Sequence, residues 1–179
     1  HLVRGRDGLA AFDRGGVHPL TASVDAFADA LRRERHTLKR ALTDPRLFQG
    51  IGNAYSDEIL HRAKLSPMQR SDNLDDTEVT RLRDATHHVL ATWTARLRDE
   101  AGGAFPREVT AFRDGMAVHG RYGQPCPVCG TAVQRIVYAE NEANYCPRCQ
   151  TGGKLLADRA LSKLLKASWP KTIEELEGR

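Results

Sequence analysis

All four cysteines of this chain sit in two short knuckles, Pro125-Cys126-Pro127-Val128-Cys129-Gly130 and Tyr145-Cys146-Pro147-Arg148-Cys149-Gln150, with sixteen residues between Cys129 and Cys146. Two CxxC pairs at that separation fall in the window of a structural zinc site. Thiolates three residues apart on a tight turn can both point inward, and zinc takes four such ligands in a tetrahedron. With Cys126, Cys129, Cys146 and Cys149 all supplying sulfur, no position is left for water or substrate. The expected Zn2+ is therefore single and structural. The alternatives are four reduced thiols or two disulfides. Disulfide frameworks belong mostly to small secreted chains, and nothing here resembles a signal peptide. Between the pairs, Ala132 to Tyr138 reads as a strand, Ala139 to Glu142 as a turn, and Ala143 to Tyr145 as the returning strand. The spacing predicts a zinc β-ribbon.

A length of 179 residues accommodates one ordinary domain, or a helical domain with a small metal-stapled one. No apolar run approaches membrane-spanning length, so no membrane partner is expected. A formal net charge of +4 leans basic, which permits nucleic-acid binding without establishing it. The first residue is His1, and His1-Leu2-Val3-Arg4 reads as part of a strand without a natural start. Residues 1–20 are accordingly expected to be the remnant of a preceding domain and its linker.

Thr21 or Ser23 can cap a helix that puts Val24, Phe27, Ala28 and Leu31 on one face. After the basic run 32–36, Leu38, Ala41 and Leu42 can share a helical face that turns Lys39 and Arg40 outward. Asp44-Pro45 reads as a further helix start. In Gly50-Ile51-Gly52-Asn53-Ala54-Tyr55-Ser56-Asp57-Glu58 the glycines favour a tight turn, with Asn53 placed as the cap of a helix running to Ala63. Such a turn presents backbone N–H groups and a helix N-terminus, which suit a phosphate. An ordinary interhelical turn is the competing reading.

The longest helix is expected to start at a cap on Asp76 or Thr77, with Val79, Leu82, Thr86, Val89, Leu90, Trp93 and Leu97 on its core face. His87 and His88 lack an i+4 partner for a metal pair and read as helix-surface residues. Gly102-Gly103 opens a loop running to Gly120. Past the ribbon, Ala157, Leu161, Leu164 and Leu165 oppose Lys154, Arg159, Lys163 and Lys166 in a basic amphipathic helix, followed by an acidic tail after Pro170. That helix is expected to pack back on the body, DNA contact being its alternative. The domains expected are 21–119, helical; 120–150, the zinc ribbon; and 151–179, the terminal helix and tail. The fold class is mainly α: a helix-two-turn-helix bundle, then a small zinc β-ribbon and a C-terminal helix.

The stretch from Gly50 to Leu60, followed by Ser66-Pro67, resembles the helix-two-turn-helix motif of the formamidopyrimidine-DNA glycosylase and endonuclease VIII family. Val118-His119-Gly120-Arg121-Tyr122-Gly123-Gln124-Pro125-Cys126 is similar to the lead into that family's zinc finger. The resemblance runs roughly from Ala22 to Gln150. It implies the DNA-binding C-terminal portion of a base-excision-repair glycosylase and AP lyase acting on oxidised bases. Such a portion grips phosphates around a flipped nucleotide, whose unstacking must be offset by firm contacts on either side. The DNA-contacting residues it implies are Lys39, Gly52, Asn53, Tyr55, His119, Arg121 and Arg135. The family's catalysis belongs to an N-terminal domain built around a terminal proline, and no residue of this chain matches it, so the chain alone is expected to be inactive. The partner the resemblance implies is double-stranded DNA, damaged or abasic, and the chain is expected to bind it as a monomer in the bacterial cytoplasm at the nucleoid.

Two departures stand out. The family's hairpin-tip arginine is Asn141 here, between Glu140 and Glu142, and the tyrosine before Gly120 is His119. The loop from Gly102 to Val118 is also short for one that encloses an oxidised purine, which leaves lesion preference open. A non-catalytic, stand-alone DNA-binding protein of the same descent is the alternative function. A ribbon serving protein–protein contact is a third, and it leaves the glycine–asparagine turn unexplained.

Overall fold

The structure is a computed structural model that describes residues 5, 7–105, 110, 112–138, 141–157, 163–164, 168 and 170–178. The expected opening strand at residues 1–4 lies outside these, as does most of the expected basic helix. A short 3-10 helix, Asp7–Phe12, precedes helix α1, Val24–Arg32. Ser23 caps α1 by accepting from the Ala26 N–H. Phe27, Ala30 and Leu31 are buried, whereas Val24 faces outward. Helix α2, Leu38–Thr43, is capped by Thr37.

Asp44-Pro45 does not start a helix. Asp44 is instead the C-cap of α2, and its carboxylate accepts from the Arg46 backbone N–H at 2.9 Å and guanidinium at 2.6 Å. The turn that follows drops Leu47 and Phe48 into the core. It also pairs with Val17, whose N–H donates to Leu47 O while Gln49 N–H donates to Val17 O. Gly16 permits this approach, because a Cβ there would lie 2.5 Å from Pro45 O.

Gly50, at φ +74°, turns the chain into helix α3, Asn53–Ala63. The cap is Gly52, without a side-chain hydrogen bond, and Asn53 is the first helical residue rather than the cap. Helix α3 is buried on most sides and packs against α2 and against α4, Asp76–Ala101. The cap of α4 is Asp75, one residue before the expected position, because Asp75 and Glu78 form a reciprocal capping box. Val79, Leu82, Ala85, Thr86 and Val89 of α4 are buried, and Leu90 and Trp93 pack at the edge of the same core. His87 and His88 are exposed. Gly102, left-handed at φ +56°, ends the helix.

The ribbon is an antiparallel pair, β1 Gln134–Tyr138 and β2 Asn141–Tyr145, in the register Gln134↔Tyr145 through Tyr138↔Asn141. It has a core of its own in Val118, Val133, Cys126 and Cys146. Helix α5, Pro147–Thr151, is capped by Cys146, and both β2 and α5 contact α3. The segment after α5 is not helical at its start: Lys154 forms a bridge with Thr172, and Leu155 N–H donates to Lys171 O. This pairing holds helix α6, Ile173–Glu177, through its buried Ile173. Among the described residues no helix is long and apolar enough to cross a membrane.

Candidate nucleic-acid interface and zinc centre

The four cysteine sulfurs lie within 4.8 Å of one another. Cys129 Sγ is 3.4 Å from Cys146 Sγ and 3.5 Å from Cys149 Sγ, and Cys126 Sγ is 3.9 Å from Cys149 Sγ. Zinc–sulfur bonds of about 2.3 Å in a tetrahedron separate the sulfurs by about 3.8 Å. The donor set therefore fits one zinc ion. Backbone N–H groups of Val128 and Cys149 already point at Cys126 Sγ and Cys146 Sγ, at 3.4 and 3.5 Å. Such contacts stabilise thiolate over thiol.

The glycine turn opens on a cleft of about 680 Å³ between α2 and the ribbon. Gly52 and Asn53 lie on its wall with Arg35, Arg40 and Arg70, and Ile136, Val137 and Ala143 of the ribbon close it. Among the described residues no carboxylate pairs with Arg40, which is exposed. Arg35 and Arg70 share Asp72, at 3.2 and 3.0 Å. The cleft thus combines a helix N-terminus, at which partial positive charge gathers, with a guanidinium that no carboxylate among the described residues pairs.

Lys39 is not turned outward. Its side chain is 3% exposed, and Nζ donates to Asn53 O at 2.7 Å and Asp57 Oδ1 at 2.6 Å. Helix α3 lies across the face of α2 that carries Lys39, so the ammonium ties the two helices beneath the turn. Burial pushes its pKa below the ordinary lysine value, with the Asp57 carboxylate opposing that shift. His119 is buried too, its Nδ1 2.9 Å from Asp57 Oδ2 and its ring stacked on Phe112 at 5.4 Å. Asn144 of β2 completes the cluster, donating from Nδ2 to Asp57 Oδ2 at 3.4 Å.

The remaining predicted contacts lie elsewhere. Tyr55 packs edge-on against Trp93 at 6.0 Å, outside the cleft, and its hydroxyl pKa is raised by burial. Arg121 donates to Met116 O and Pro125 O, stapling the loop to the first knuckle. Arg135 lies over the Tyr122 ring at 4.5 Å and pairs with Glu142 at 3.5 Å. Glu140 and the side chain of Asn141 lie outside the described residues.

Sequence reasoning passed over the residues that join the two modules. Glu58 accepts from the backbone N–H groups of Ala117, Val118 and His119 at 2.7, 2.9 and 3.0 Å. Gln150 donates to Leu65 O at 2.9 Å and accepts from Cys146 N–H at 2.8 Å. The available signal was the adjacent pair Asp57-Glu58 in the middle of a helix, directly before the apolar Ile59-Leu60. Carboxylates in such a place are buried only when partnered.

A glycine-turned helix pair joined rigidly to a four-cysteine ribbon defines a helix-two-turn-helix, zinc-ribbon protein. Residues 16–99 match the family described as the formamidopyrimidine-DNA glycosylase H2TH domain, and residues 123–152 match the zinc finger found in FPG and IleRS. A formamidopyrimidine-DNA glycosylase-like protein of Mycobacterium tuberculosis, itself uncharacterised, is 42% identical over 84% of this chain and 94% of its own length. The chain belongs to the formamidopyrimidine-DNA glycosylase family. The formamidopyrimidine-DNA glycosylase of Thermus thermophilus is 37% identical over 78% of this chain, but only 55% of that enzyme is covered. The chain spans about half the length of such enzyme relatives, 51% for that of Listeria innocua. Among solved structures, MutM (Fpg) of T. thermophilus superposes with a TM-score of 0.62 at 37% identity, over 75% of this chain and 53% of the other. Lactococcus lactis Fpg in complex with abasic-site DNA superposes with a TM-score of 0.66 at 25% identity, over 82% and 56%. The zinc-finger match and the sulfur geometry agree: the four cysteines are arranged to bind one zinc ion.

Proposed function

We propose that this chain is the DNA-gripping part of a base-excision-repair glycosylase, binding phosphates of duplex DNA around a damaged or abasic nucleotide. The observation that carries this reading is the Gly52–Asn53 turn at the N-terminus of α3, with Gly52 exposed and Asn53 half-buried, opening on a cleft edged by Arg35 and Arg40. A phosphate there meets backbone N–H groups and the Asn53 amide directly, while Lys39 and His119 hold the turn from below. Of the predicted contacts, Gly52 and Asn53 are assigned as direct. Lys39 and His119 are assigned as positioning residues, Arg121 as a staple, and Tyr55 and Arg135 as flanking residues. The L. lactis structure with abasic-site DNA supports the choice of ligand. Base excision and strand cleavage are assigned to the portion of the enzyme relatives with which this chain does not align.

The protein is expected to act as a monomer on nucleoid DNA in the bacterial cytoplasm. Phosphate contacts carry affinity but little sequence information, so binding should be sequence-tolerant and fall steeply with salt. Anisotropy titration on abasic and intact duplexes over a salt series tests this. Absence of binding even at about 50 mM salt, where phosphate contacts are strongest, would end the reading. Borohydride trapping on abasic DNA should give no adduct with this chain. A second reading, a non-catalytic DNA-binding protein, is favoured by the M. tuberculosis relative, 94% of which is covered by the match. An adduct in the same trapping experiment would contradict both readings.

A further inference from the structure

His61, on the third turn of α3, is 6% exposed, and its Nε2 lies 3.3 Å from Cys126 Sγ. The two residues are 65 positions apart, so the contact joins the helical module to a metal ligand. Burying an imidazole costs free energy unless its nitrogens find partners. The sulfur it faces has a matching need: zinc binding requires Cys126 as thiolate, and Cys126 is 2% exposed, without solvent to stabilise that charge. Among the described residues the other N–H that reaches Cys126 Sγ is that of Val128, from within the knuckle, at 3.4 Å.

We propose that His61 donates a hydrogen bond from Nε2 to the Cys126 thiolate of the zinc-loaded ribbon, making α3 part of the metal centre's outer sphere. His61 is then a positioning residue for the zinc. Three residues earlier on the same helix, Glu58 holds the backbone of Ala117, Val118 and His119. The ribbon is thus tied to α3 through the segment that leads into it, and also through a zinc ligand. Loss of the metal is felt by the helix whose N-terminus carries Asn53.

The test uses the full chain with zinc bound. His61→Phe keeps a ring of similar size and removes the donor. His61→Gln restores an N–H near the place of Nε2. Outer-sphere partners of metal ligands are worth about 10–100-fold in affinity. His61→Phe should therefore hold zinc about 10-fold less tightly in chelator competition, at the lower end of that range, because the Val128 N–H remains. His61→Gln should recover most of the loss. In cobalt-substituted protein, the sulfur-to-metal charge-transfer band of His61→Phe should shift, which a packing role alone would not cause. Should His61→Phe fail to fold, the wild type decides. With a magnetically active cadmium isotope in the site, the His61 Nε2 proton should show scalar coupling to the metal. Unchanged zinc retention with an unshifted cobalt band overturns the proposal, and so does absence of the cadmium coupling.

Discussion

The helical module and the zinc ribbon share one helix as their common wall, yet they are held together by different physics. In the helical module eighteen buried residues among those described, from four helices and their connecting turns, form one continuous apolar core. The ribbon core consists of Val118 and Val133 with two metal ligands, Cys126 and Cys146. A two-stranded ribbon with so small a core is not stable on apolar burial alone. Zinc supplies what the side chains lack. The seam between the modules is different again: it is polar, made by Asp57, Glu58, Asn144 and Gln150. A polar seam fixes one relative orientation, because each donor is satisfied in only one geometry. That matters for a cleft with one wall in each module.

This contrast predicts unequal responses to damage. The largest is expected at the metal. Zinc ligation is worth on the order of 10 kcal/mol of folding free energy in small domains. Cys146→Ser, or exhaustive chelation, should unfold the ribbon while the helical circular dichroism persists and zinc stoichiometry falls. Loss of both modules together would show that the helical core depends on the ribbon.

Next comes the buried pair beneath the turn. Lys39→Met leaves Asp57 buried without its cation, and breaking such pairs costs about 3–5 kcal/mol. Denaturant unfolding of zinc-loaded protein should show a loss of that size in the helical transition. A loss below about 1 kcal/mol, as for an exposed pair, would contradict the burial of Lys39. Glu58→Gln should cost less, about 2 kcal/mol, since the amide keeps an acceptor oxygen but loses the charge that binds three N–H groups. Hydrogen exchange at Ala117 to His119 should rise in this variant, and unchanged exchange would remove Glu58 from the seam.

Local chemistry was legible in the sequence, and pairing at a distance was not. The cysteine spacing is a local signal, and both it and the core face of α4 could be read from periodicity. Lys39 reads as outward because its own helix is only six residues long and offers no sign that α3 will lie across it. Its partner Asp57 is eighteen positions away, and His119 is a further 62 beyond Asp57. Asp44-Pro45 misleads because Asp44 does accept the Arg46 N–H, as a cap would, and Phe48 N–H closes one turn onto Asp44 O. The turn goes no further, because the next N–H, that of Gln49, donates to Val17 O instead of continuing a helix.

The smallest effect concerns that Asp44–Arg46 turn, at the edge of the helical module. Hydrogen bonding from Arg46 holds the Asp44 carboxyl down to about 2. A carboxyl depressed in the folded state stabilises above its unfolded value of about 3.9 and loses that contribution as pH falls toward its folded value. Acidification from about pH 4 to about pH 2 should therefore loosen this turn, an effect absent in Asp44→Asn. Arg46 is exposed, so the change should be slight. Equal acid sensitivity of the two proteins would assign the loss to other carboxylates.

The central claim is that DNA is held at the exposed N-terminus of α3, against a wall set by the zinc ribbon. The most direct measurement is a salt-matched titration of wild type and Asn53→Ala on an abasic duplex, with zinc content and circular dichroism confirmed equal. The account predicts that Asn53→Ala binds more weakly by about 1–2 kcal/mol, the range for a hydrogen bond to a charged group. Indistinguishable affinities for the two proteins, across the salt series, would contradict it.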